Sequence, residues 1–189
     1  MKKTMLVLGI FFLGGLTLQA ADTNNQALAG ITNHYAARNF TAGAVSRADL
    51  DRILLAGVRA PSASNRQPWH FTVIQNAALS KQIVPNMPEG NVLILISGAD
   101  GQTNSRVILD CALAAENIYL AAQALGLGSR IYTGPMDALN RNAQIKAELD
   151  LPNGYNPVAL VRVGQVPPGI DAVSAASSRK DPDAVVNYK

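Results

Sequence analysis

The 189-residue chain carries a single cysteine, Cys111, so no internal disulfide can form. That residue sits in an alanine-rich stretch with helical spacing and reads as a small buried apolar side chain, not a nucleophile. Only two histidines occur, His34 and His70, far apart in sequence, which argues against a metal held by protein ligands. No serine is framed by Gly-x-Ser-x-Gly, which disfavours a hydrolase built on a nucleophile elbow. Gly126-Leu127-Gly128 lacks the rest of the dinucleotide fingerprint, so no Rossmann site is implied. There is no internal repeat. Nor is there an excess of charge: 16 basic residues face 13 acidic ones. Lys2 and Lys3 belong to an N-terminal segment of their own; without them the net charge falls to about +1, leaving no basic footprint for nucleic acid.

That N-terminal segment, Met1 to Ala20, has the form of an export signal. Two lysines precede an apolar run from Met5 to Leu18, and Leu18-Gln19-Ala20 before Ala21-Asp22 supplies small residues for cleavage. The run is short of the roughly 20 apolar residues that a membrane span needs, so no stable membrane insertion is expected once it is removed. No cysteine follows it, which argues against lipid modification, and no twin arginine precedes it, which favours export of an unfolded chain; the periplasm is the expected destination, with release outside the cell as the alternative. Residues 21–189 then form one domain, long enough for a real core but not for two.

Along the domain, a short helix is expected over Ala27 to Ala36. Ser46-Arg47-Ala48-Asp49 has the form of a capping box, followed by Leu50, Ile53, Leu54 and Val58 at helical spacing. His70 to Gln75 reads as a strand, Ala78 to Ile83 as a short helix, and Asn91 to Ser97 as a strand apolar on both faces. Arg106 to Leu125 is the longest helix candidate. It is apolar nearly all round, which places it at the centre or at a subunit interface, and Gly126 stops it. Asp110 is expected near its N-terminus, against the helix dipole. Ser129 to Thr133 reads as a strand, Asp137 to Leu149 as one amphipathic helix, Pro157 to Val163 as a strand, and Ala184 to Tyr188 as a short β-like run. Helices and strands mix without regular alternation, so the class is α+β.

The most informative stretch is Arg59 to Phe71. Pro61 and Pro68 stiffen a loop that displays Ser62, Ser64, Asn65 and Gln67 and ends at the only tryptophan, Trp69. Amides that donate and accept suit the edge of a heteroaromatic ring carrying alternating C=O and N–H groups. Trp69 reads as a core anchor, and His70 as a strand residue with no catalytic part.

Four features, in order, resemble the nitroreductase family: Arg38-Asn39-Phe40 followed by Val45-Ser46 and a helix; the Pro61 to Phe71 loop, similar to the family's Pro-Ser-small-x-Asn-x-Gln-Pro-Trp signature; Asp110 to Gly128, similar to its long central helix ending in Leu-Gly-Leu-Gly; and Arg179. The resemblance implies a three-layer α/β/α fold with a central mixed, mostly antiparallel sheet and a long central helix, in a homodimer that binds FMN at the subunit interface. It implies that Pro61, Ser62, Ala63, Asn65 and Gln67 meet the isoalloxazine edge, in part from the partner subunit. Arg38 would lie at the pyrimidine end of the flavin, where a fixed guanidinium stabilises the negative charge of the reduced ring. Arg179, with Lys180 beside it, would clamp the phosphate, and Thr133-Gly134 would offer backbone contacts to the ring.

The chain departs from the family in one place. Where relatives carry Arg-Arg-Ser ahead of the residue matched by Arg38, this sequence has His34, Tyr35 and Ala36. A lost charge-assisted bond costs about 1.5–3 kcal/mol, roughly one to two decades of affinity, unless His34 compensates. The short segment between Ile83 and Val92 implies an open site. The expected activity is passage of a hydride or two electrons from a donor such as NAD(P)H, through FMN, to a small electron-poor acceptor such as a nitroaromatic or quinone. The competing reading is a flavin-binding or electron-relay protein with little turnover. No side chain is assigned as nucleophile or base.

Overall fold

The structure is a computed structural model and describes residues 25–101 and 103–189. The expected export segment lies outside the described residues. At the centre is a four-stranded sheet of β1 (Trp69–Ile74), β2 (Val92–Ala99), β3 (Gly128–Tyr132) and β4 (Tyr155–Gly164), in the order β1-β2-β4-β3. Each of the three pairings is antiparallel. Strand β2 is buried along nearly its whole length, as its uninterrupted apolar run implies. Val92, Ile94 and Ile96 point to one face, Leu93 and Leu95 to the other. A register shift between Ile96 and Ser97 lies opposite Pro157 on the central strand β4, a place where a missing N–H is tolerated.

The alternation creates two cores and therefore three layers. On the first face, α2 (Arg47–Val58) and α4 (Ser105–Ala124) pack on Val92, Ile94, Ile96, Val161 and Val163. On the second, α3 (Ala77–Ile83), α5 (Met136–Arg141) and α6 (Ala143–Glu148) cover Leu93, Leu95 and Leu160. Helix α1 (Gln26–Thr32) and the single turn α7 (Ala172–Ala175) lie outside these layers with no buried residue of their own.

Local chemistry explains the boundaries. The Ser46 hydroxyl accepts from the Asp49 N–H at 3.0 Å and donates to the Asp49 carboxylate at 2.7 Å, which starts α2 as the capping pattern requires. Gly57 lets α2 lie close on α4: a Cβ there would stand 2.7 Å from Ile118 Cγ1. At its far end, α4 closes in a Schellman arrangement, with Leu127 N–H on Ala122 O, Gly126 N–H on Gln123 O, and Gly126 at φ +78°. Trp69 is buried and stacks on Phe71 at 6.3 Å, in keeping with its reading as an anchor.

Two expectations are corrected. The single helix over Asp137 to Leu149 is two helices, because Asn142 adopts ψ 95° and its side chain caps α6 by accepting from Ile145 N–H. The β-like run Ala184 to Tyr188 forms no strand; a 3₁₀ turn at Pro182–Ala184 leads into it, and Val185, Val186 and Tyr188 are 62%, 48% and 93% exposed. A strand without a neighbour has no ladder to hold it.

Candidate functional site

The Pro61–Gln67 loop is held in a left-handed conformation uncommon for side-chain-bearing residues: Ser64, Asn65 and Gln67 have φ of 53°, 53° and 48°. Its own polar groups enforce this shape. Ser62 Oγ accepts from Gln67 N–H at 3.0 Å, Ser62 O accepts from Asn65 N–H at 3.0 Å, and Gln67 Nε2 donates to Asn65 Oδ1 at 3.1 Å. Ala63 O takes the backbone and side-chain N–H groups of Arg66, and Ala63 N–H is given to Asp110 Oδ1 at 3.0 Å. Both backbone polar groups of Ala63 are thus engaged within the protomer, the carbonyl inside the loop and the N–H on α4. Among the described residues, Asn65 Nδ2 and Gln67 Oε1 make no bond, so the two exposed side chains keep amide donors and a carbonyl acceptor to offer. Pro61 is exposed at the loop's entry. Backbone strain of this kind, fixed by surrounding bonds, is typical of ligand clamps.

Asp110 corrects an expectation. Helix α4 begins at Ser105 and is capped by Asn104, so Asp110 lies beyond its first turn, 3% exposed, and serves the loop, not the dipole. Its neighbour Cys111 is fully buried, and burial, reinforced by the Asp110 charge, pushes the thiol up to about 12. His70 lies on β1 with its ring edge-on to Tyr155 at 6.0 Å, away from the loop's serines in bonding terms.

The basic residues gather at the other end of α4. Arg38 Nη2 donates to Ser177 Oγ at 3.1 Å, and Arg179 Nη1 donates to Ser177 O at 2.7 Å. Two guanidiniums expected at opposite ends of a cofactor therefore share one serine in the protomer. The segment bearing Arg38 is nailed down on both sides. Tyr35 N–H donates to Gln123 Oε1, Ala37 N–H to Ser129 O, and Phe40 lies under the Arg162 guanidinium at 3.8 Å. Arg162 is itself fixed by Asn91 Oδ1, and burial draws its pKa down. His34 packs edge-on against Tyr119 at 5.4 Å, with Nδ1–H on Ile31 O at 2.6 Å, which leaves Nε2 free. Burial pushes the Tyr119 phenol up, while Gln123 and the charge of Arg179 draw it back.

A cavity of about 370 Å³ beside this cluster is lined by His34, Tyr35, Leu120, Gln123, Pro168 and Ile170. A smaller one of about 240 Å³ touches Tyr35, Arg38 and Ala175. Neither reaches the amide loop. Asp110 and Tyr119 are nine residues apart on α4, roughly 13 Å along its axis, so the loop and the basic cluster are separate in one protomer. Thr133 and Gly134 follow β3 as an exposed turn, closed by Met136 N–H on Thr133 O, about 13 Å along the strand from Ser129. Ser177, Gln123 and Asp110 are the site residues that sequence reasoning missed. The Ser-rich tract around 177 was visible; its meeting with Arg38 was not.

The residues fit a phosphorylated heteroaromatic cofactor. The exposed donor–acceptor pair of Asn65 and Gln67 matches a ring edge, and the convergent guanidiniums of Arg38 and Arg179 match a phosphate or an anionic ring. Among the described residues, no His, Cys, Asp and Glu cluster could hold a metal ion.

The described residues form a three-layer protein of the α+β class, with a strained amide loop towards one end of the central helix and paired arginines towards the other. Within that class, the chain belongs to the nitroreductase family, whose profile matches residues 31–92 and 80–165. It is 30% identical over 154 residues to an Archaeoglobus fulgidus protein with the provisional name NADH dehydrogenase/NAD(P)H nitroreductase, covering 77% of this chain and 87% of that one. The crystal structure of a Bacteroides fragilis nitroreductase with bound FMN superposes with a TM-score of 0.73 at 20% identity, covering 87% of this chain and 99% of that one. A nitroreductase-like protein of Desulfovibrio desulfuricans in complex with FMN superposes at 0.72 with 25% identity, covering 87% and 97%. FMN is the cofactor of the family.

Proposed function

We propose that this chain is an exported, homodimeric FMN-dependent oxidoreductase that passes a hydride or two electrons from a donor such as NAD(P)H to a small electron-poor acceptor, a nitroaromatic or quinone. The observation that carries the reading is the separation of two incomplete half-sites along α4 with an apolar surface between and beside them. Leu109 and Leu113 are 61% and 38% exposed one turn apart on α4, and on α2, which packs against α4, Leu55 and Val58 are 56% and 46% exposed. An exposed apolar face of this kind suits an interface, and in the proposed dimer a two-fold axis through it would bring one subunit's amide loop towards the other's arginines.

When bound, FMN supplies the hydride acceptor and donor; the chain's residues position it and tune it. Arg179 and Arg38 supply charge for the phosphate and for the negative charge of the reduced ring. Asn65 Nδ2 and Gln67 Oε1 orient the ring edge. His34 stands where the resemblance places an arginine, with Nδ1–H held by Ile31 O and a ring that supplies no fixed cation. Pro61, Ser62 and the Thr133–Gly134 backbone border the ring, and the short Ile83–Val92 connection leaves the acceptor's side open. Residues 1–20 act as the export signal, and the periplasm is the destination.

Rapid mixing of the FMN-loaded protein with NADH or NADPH under anaerobic conditions tests the activity. Bleaching of the flavin band followed by re-oxidation with a quinone is expected. A loaded protein that neither donor bleaches would instead be a flavin-binding or relay protein.

A further inference from the structure

We propose that Asp110 is the positioning residue of the amide loop, and that its carboxylate also places a negative charge behind the ring-binding edge. The inference rests on the reading of the loop as the ring-binding element. Asp110 is 3% exposed on α4, and its Oδ1 accepts Ala63 N–H at 3.0 Å, a side-chain bond that ties the loop to the helical layer. Ala63 is followed at once by the left-handed Ser64 and Asn65. Such a backbone persists only where its surroundings over-determine it, and the loop's remaining bonds are internal to residues 62–67.

The second oxygen adds a different argument. Among the described residues, Asp110 Oδ2 is buried and has no hydrogen-bond partner. A buried charged oxygen without a partner costs stability, so as a mere fastener Asp110 is a poor choice beside a neutral acceptor. What the acid adds over an amide is charge. Held in a low-dielectric place one hydrogen bond behind the loop, it opposes accumulation of negative charge on a ring bound in front, countering Arg38.

Two substitutions separate position from charge. Asp110→Asn keeps an acceptor for Ala63 N–H, and Asp110→Ala removes it. In the apoprotein, hydrogen exchange of the Ala63 amide is expected to stay slow in Asp110→Asn and to speed at least about tenfold in Asp110→Ala, with FMN affinity following the same order. The loaded Asp110→Asn protein is expected to favour reduced over oxidised FMN by about tenfold more than the parent, about 30 mV for a two-electron couple. Unchanged Ala63 exchange in Asp110→Ala, or an unchanged potential in Asp110→Asn, overturns the proposal. If Asp110→Ala does not fold, the potential of Asp110→Asn decides. A parent protein that takes up no FMN would instead overturn the function proposed above, and the apoprotein exchange arm would still judge Asp110.

Discussion

Removing the Arg179 guanidinium should weaken FMN binding without touching the fold. Arg179 is exposed, and its one bond goes to Ser177 O at 2.7 Å; Arg38 meets the same serine at 3.1 Å. Nothing in the core leans on it, so Arg179→Ala should leave unfolding within about 0.5 kcal/mol of the parent. A charge-assisted hydrogen bond is worth about 1.5–3 kcal/mol. Solvent exposure places Arg179 at the lower end, so the dissociation constant should rise about tenfold. Quenching of FMN fluorescence on titration with apoprotein measures it. The interaction is electrostatic, and raising salt from 0.15 M to 1 M shortens the screening length from about 8 Å to about 3 Å. Parent binding should therefore weaken more with salt than binding by Arg179→Ala. The converse substitution, His34→Arg, restores the missing cation and should tighten binding by a similar factor. An Arg179→Ala protein with parental affinity and parental salt dependence would refute the reasoning.

Gly57→Ala should destabilise the fold by about 1–3 kcal/mol in chemical denaturation, because the added methyl meets Ile118 at 2.7 Å in a filled core. Native Cys111 should resist thiol reagents at pH 8 and react only on unfolding, since its pKa is pushed from 9.0 up to about 12. The sign of its linkage follows: between those values the unfolded chain releases a proton that the folded chain keeps, so this term lowers stability as pH rises above about 9. Placing charge on the exposed apolar face of α4, Leu109→Lys with Leu113→Lys, should shift the light-scattering mass of the proposed dimer to that of a monomer and weaken FMN binding with it.

The elements legible in the sequence were those whose cause is local. The run from Val92 to Ile96 can only be a strand covered on both faces, and the structure covers it with the two cores. Ser46 and Gly126 fix helix ends within a few residues of themselves, as expected. Pro61 to Gln67 announced a stiff display of amides. What was not legible depends on partners distant in the chain. Asn142 breaks a helix that periodicity carries straight through, because its side chain competes for the Ile145 N–H. Ala184 to Tyr188 has strand composition but no neighbouring strand. Asp110 looks like a dipole partner until Ala63, 47 residues away, is seen on its carboxylate. The convergence of Arg38 and Arg179 on Ser177 spans 139 residues between Arg38 and the serine, and no local pattern encodes it.

The central claim is a site completed by two copies of this chain around FMN. Size-exclusion chromatography with in-line light scattering and visible absorbance, on the purified protein incubated with FMN, tests it in one run. The account predicts a dimer-mass peak carrying stoichiometric flavin absorbance. A monomer that carries flavin, or a dimer that stays colourless in excess FMN, would contradict it.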